Sequence, residues 1–116
     1  MSDGIRGRDD SFPIEILEEG TLGRWTVTTA SGAAYDLDLR GDGTSRVSRQ
    51  GGPGDDGRPV DWRLLHVWMS QRAMRGEDRS LLLGDRMVLV MEPVTPGASY
   101  SVIVSTPVTR IRAVGT

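Results

Sequence analysis

Residues 24–39 read R-W-T-V-T-T-A-S-G-A-A-Y-D-L-D-L, and this stretch decides the fold class. Trp25, Val27 and Thr29 alternate with polar neighbours, and so do Tyr35, Leu37 and Leu39. A strand with one buried face needs that period of two, because successive side chains point to opposite sides. Between the two runs lies Ala30-Ser31-Gly32-Ala33. For both apolar sets to share a face, paired positions must sum to one even number, as 27 and 37 do. That register centres the turn on Gly32 and requires an odd number of loop residues. Such loops commonly need a left-handed residue, which glycine supplies at little cost. The stretch reads as a β-hairpin.

Working outward, the same chemistry repeats. Upstream, Phe12 to Leu17 (F-P-I-E-I-L) is a short apolar island whose Pro13 suits an edge strand or a strand start. Met1 to Ser11 is polar and Gly-rich without periodicity and reads as a disordered tail (1–11) ahead of a single β domain (12–116). Downstream, Gly41-Asp42-Gly43 marks a turn before a short strand near Thr44 to Arg49. Gln50 to Pro59 (50–59) is so rich in Gly and Pro that it reads as a mobile loop. Val60 to Arg75 fits two templates. As a strand, Val60, Trp62, Leu64, His66 and Trp68 line one face; as a helix, Leu64, Leu65, Trp68 and Met69 form a stripe. Its Trp and Val content favours the strand. Leu81–Leu83 and Arg86–Met91 read as strand segments joined by a bend at Gly84-Asp85. Ser99 to Ser105 and Val108 to Val114 read as further strands, with Pro107 at an edge or bulge. The sum is an all-β fold, a small single-domain barrel or sandwich of about six to seven short antiparallel strands.

Counting residue types removes whole chemistries. There is no cysteine among the 116 residues, so disulfides, thiolate nucleophiles and cysteine-ligated zinc or iron–sulfur centres are excluded. All 14 basic residues are arginine, which excludes Schiff-base and P-loop lysine chemistry. One histidine, His66, cannot build a histidine metal cage. No cofactor or metal is expected. The net charge is −2, too balanced for electrostatic capture of nucleic acid or membrane. No apolar run approaches the roughly 18 residues of a membrane span, and the first 20 residues lack a signal-peptide core. The expected compartment is the cytoplasm.

The segments W-T-V-T-T-A-S-G, L-L-L-G-D-R-M-V-L and S-T-P-V-T-R-I, spread over Arg24 to Ile111, resemble a group of small uncharacterised bacterial β-domain proteins. Their content is turn and strand chemistry. The resemblance implies the β fold and carries no activity.

Candidate sites follow from what remains. Asp36 and Asp38 suggest calcium, but an EF-hand alignment puts Arg40 and Val47 at ligand positions, so a solvated strand face is the better reading. Arg40-Gly41-Asp42 matches an adhesion tripeptide by chance composition, and its structural task is a turn. Trp25, Trp62 and Trp68 are half of the six aromatics and read as core. His66 would serve a hydrolase only beside a nucleophile and an acid, and no G-x-S-x-G elbow is present, so it reads as a partly buried structural residue. Arg46, Arg49, Arg110 and Arg112 would grip phosphates if the barrel binds nucleic acid. The leading expectation is a non-catalytic protein-interaction module, an adaptor, structural or regulatory one. Its partner-binding residues would be Phe12, Ile14, Ile16 and Leu17, with open strand edges also suited to pairing two copies.

Overall fold

The computed structural model describes residues 13–50, 60–76, 78–93 and 97–114. The expected tail, Phe12 and residues 51–59 of the expected loop lie outside that set. Among these residues nine strands form: β1 (Pro13–Ile14), β2 (Ile16–Leu17), β3 (Gly23–Thr29), β4 (Ala34–Leu39), β5 (Arg46–Gln50), β6 (Val60–Ser70), β7 (Leu81–Leu82), β8 (Arg86–Met91) and β9 (Ser101–Ala113). A short 3-10 helix, Gln71–Arg75, follows β6. All pairings are antiparallel. The order β9-β3-β4-β5-β6-β8 returns to β9, so six strands close into a small barrel, one of the two all-β architectures expected. β1 adds to the edge of β9 opposite β3, and β2 pairs with β7 in a separate ribbon.

Closure depends on β9. Its first half pairs with β8 and its second half with β3. The exchange falls at Pro107, whose carbonyl accepts the Ala30 amide at 2.8 Å while Thr106 Oγ1 accepts Ser31 N–H at 3.0 Å. Proline offers no ladder donor, so a site where a strand leaves one neighbour for the next is where it costs least. The two strands expected around Pro107 are therefore one.

Registers place the core. In antiparallel pairs, residues directly opposite share a face. Ile14, Ile111, Val27 and Tyr35 form one inward row, and Ala113, Trp25, Leu37 and Val47 the next. Ala33, Leu39, Leu65, Met87, Leu89, Met91 and Val108 complete the core, with Leu17 and Leu81 of the small ribbon buried against it. Trp25 and Trp68 pack on this cluster, as expected of core aromatics, whereas Trp62, expected with them, lies outside it against Arg24 and Arg46.

Two local expectations change. The β3–β4 pairs sum to 62, as in Val27↔Tyr35, so the turn centres on Ser31. Gly32 is its left-handed residue, at φ 94°, and the slip by one full pleat keeps the same faces buried. Residues 60–70 are strand, but the register shifts between Leu65 and Val67. That extra residue changes which side chains face inward, so Trp68 meets the core while His66 stays exposed. In the Gly41–Gly43 turn, only Gly43 takes a positive φ, 85°. Asp42 Oδ1 accepts the Thr44 amide at 3.0 Å and its hydroxyl, an Asx turn that closes the corner.

Candidate functional site

The outside of the barrel has two chemically opposite halves. On the β9–β3–β4–β5 side, the rows are Arg24, Asp38, Arg46 and Leu64, then Arg112, Thr26, Asp36 and Ser48, then Arg110, Thr28, Ala34 and Gln50. Acid and base alternate across the strands. Asp38 accepts Arg40 Nη2 at 2.9 Å and Arg46 Nε at 3.1 Å. The Arg40 hydrogen bond, ahead of the burial that opposes it and of Arg46, holds the Asp38 carboxyl below the usual carboxylate range. Trp62 projects beneath this group, with the guanidiniums of Arg46 and Arg24 at 4.7 and 5.3 Å from a ring centroid, within cation–π reach.

On the β6–β8–β9 side the outer face is aliphatic. Met69, Val88 and Val104 form one row; Val67, Val90 and Val102 form the next. Val88 is buried, at 3% exposure, yet it stands outside the core cluster, because it points away from the barrel interior. Val102 and Val104 are 60% and 47% exposed. The row beyond is polar and aromatic: His66 Nε2 and Glu92 Oε2 lie 2.6 Å apart, and the Tyr100 ring meets His66 edge-on at 4.9 Å. Sheets with one dry face alternate apolar and polar residues; β8, Arg86–Met91, is apolar on both sides. Moreover, residues 101–105 of β9 have β8 on one side, while β3 joins only at Val108. Among the described residues, the other edge of 101–105 carries no strand.

The residues expected to bind a partner are placed elsewhere. Leu17 is in the core, and Ile14 packs against it beside Ile111. Ile16 is exposed. Both short strands of that island thus pair inside the domain, with Leu17 buried and Ile14 half-buried. The four arginines are not one surface. Arg46, Arg110 and Arg112 share the polar outside with Asp36 and Asp38, and Arg46 is engaged by Asp38 and Trp62. Arg112 is half-buried, and its Nε has no hydrogen-bond partner among the described residues. Arg49 is the partner of inward-facing Tyr35 and lines a cavity with Arg63. His66 is exposed rather than partly buried, and it has an acid, Glu92, but no hydroxyl nucleophile among its described contacts.

Sequence reading missed the aliphatic outer face. Its six members sit on three strands, and only the unbroken run Met87–Met91 signalled burial from two sides. Arg63 carried no signal at all. Among the described residues no helix is long and apolar enough to cross a membrane. Comparison with protein-family models, with curated proteins and with solved structures finds no match to this chain.

Proposed function

We propose that this protein is an interaction module, an adaptor or regulatory subunit, that takes an extended segment of a partner protein onto the free edge of β9. The observation that carries the reading is the continuity of the aliphatic outer face with that edge. A strand added beside Ser101–Ser105 would satisfy its unpaired backbone groups and lay alternate apolar side chains against Val102 and Val104. Open edges are liabilities that folded proteins usually blunt with charge or proline. Here the first half of the strand, S-V-I-V-S, has neither.

The test is site-specific photocrosslinking in the native host. A crosslinker at position 102 or 104 should yield one discrete product, absent when the crosslinker sits at Thr28 on the polar outside. The product should also disappear in a Val102→Asp, Val104→Asp chain crosslinked from position 100. A product at twice the chain's own mass would make the partner a second copy and displace the hetero-partner reading. Equal products from both faces, or none from a folded chain, would overturn it.

A further inference from the structure

A cavity of about 140 Å3 lies behind the free edge of β9. Its walls include Tyr35 of β4, Val47 and Arg49 of β5, Arg63 of β6, Met91 of β8 and Ile103 of β9. Of the six barrel strands, only β3 contributes no described residue. The register gives the reason. β3 ends at Thr29, opposite Val108, and the chain then turns across Pro107 and Thr106 toward β4. Beside Ser101–Ser105 the barrel therefore lacks, among the described residues, the stave that belongs between β9 and β4. Ile103 faces inward at that gap and packs on the core, while Val102 and Val104 on either side of it face out.

We propose that the partner strand taken up at this edge completes the barrel wall in line with β3 and buries one apolar side chain in the cavity. The inference rests on the edge docking proposed above and names the chemistry of the segment that docks. Residues directly opposite in a β pair share a face. The partner residue facing Ile103 thus points inward, and its two neighbours point outward beside Val102 and Val104. Tyr35, Val47, Met91 and Ile103 surround the inward side chain with apolar groups. Burial favours a side chain that fills the space, and an apolar cavity of roughly 150 Å3 takes a benzene ring. The size range therefore runs from valine to phenylalanine and excludes tryptophan. The segment recognised is a strand with three apolar residues in succession, the middle one of that size.

The probe is a set of soluble peptides, acetyl-Lys-Thr-Val-X-Val-Thr-Lys-amide, with X as Leu, Ala, Trp or Asp. Each is titrated into the full chain. The methyl resonances of Val102 and Val104 report the edge, and that of Met91 reports the cavity from the neighbouring strand. With X as Leu, both sets should shift saturably, with a dissociation constant in the millimolar range or tighter. The Ala peptide should bind about tenfold more weakly or worse, the loss expected when three carbons leave a partly dry site. The Trp peptide should lose the same advantage and leave Met91 unmoved. Equal affinities for Leu and Ala, with shifts at the edge alone, would overturn the cavity inference and leave the docking edge standing. Asp binding as tightly as Leu would also overturn it, by giving the cavity to its arginines. If no peptide moves Val102 or Val104 up to about 10 mM, a strength at which even weak specific contacts register, the edge and the cavity readings fall together. The wild-type chain serves throughout, so no outcome depends on the folding of a variant.

Discussion

Val88 and Val102 lie on the same outer face of the same sheet, and replacing each by threonine exchanges one methyl for a hydroxyl of nearly equal shape. At Val102, which is 60% exposed, about two-fifths of a methyl's ~0.8 kcal/mol is at stake, so Val102→Thr should cost only ~0.3 kcal/mol. At Val88, which is 3% exposed, nearly all of that ~0.8 kcal/mol is lost. The new hydroxyl is also stranded between Met69 and Val104, at a further ~1–3 kcal/mol. Val88→Thr should therefore cost about 2–4 kcal/mol. Urea unfolding followed by tryptophan fluorescence reads both, as midpoint shifts at unchanged slope. Equal costs at the two positions would refute the idea that the face is sealed at β8 and open at β9. A large loss at Val102 would mean that residues of this chain already cover it. The small expected loss makes Val102→Thr a gentle companion to the aspartate variants, able to weaken docking without unfolding the barrel.

Acid should expose the Asp38 ion pairs. The folded-state pKa is lowered, so the unfolded chain takes up the proton first as pH falls. Asp38→Asn should thus be less stable than the wild type near neutrality, and the gap should close below about pH 4, the ordinary range for aspartate; urea midpoints at pH 7 and in acid would show a constant gap if the pairing contributes nothing. Arg110→Glu with Arg112→Glu should leave the fluorescence anisotropy of a labelled oligonucleotide unchanged from wild type, because Asp36 and Asp38 sit among those arginines. Salt-sensitive binding by the wild type that the variant loses would instead move the function to the polar face.

How much of this was legible before the structure depends on whether the signal was local. The β3–β4 hairpin was, because Trp25, Val27, Tyr35 and Leu37 declare their face within one short window. The turn at Gly84 and the strand character of Val60–Ser70 were legible for the same reason. The bulge at 65–67 was not: nothing in L-L-H-V-W says that a residue is inserted, yet it decides that Trp68 turns inward. Nor was the reach of β9, since proline reads as a boundary unless the partner on each side is known. The candidate site failed to show for a related reason. An outer apolar face exists only once Met69, Val88 and Val104 are set in register, and strand-by-strand reading grants each strand a single dry side. The apolar island stood out in the sequence because it was contiguous, and of its described residues Leu17 and Ile14 serve the core.

The double pairing of β9 also has a consequence in time. During synthesis, β3 through β8 emerge with neither end of the curled sheet closed, and each terminal strand offers an open ladder to any other chain nearby. Only when residues up to Ala113 have cleared the ribosome can one strand seal both gaps, through partners as distant in sequence as Trp25 and Ala113. Folding that waits on such distant pairings is slow compared with that of helical domains. Ribosome stalling before Thr106 should therefore leave a sticky nascent chain, and slower elongation over residues 40–90 would gain nothing for yield.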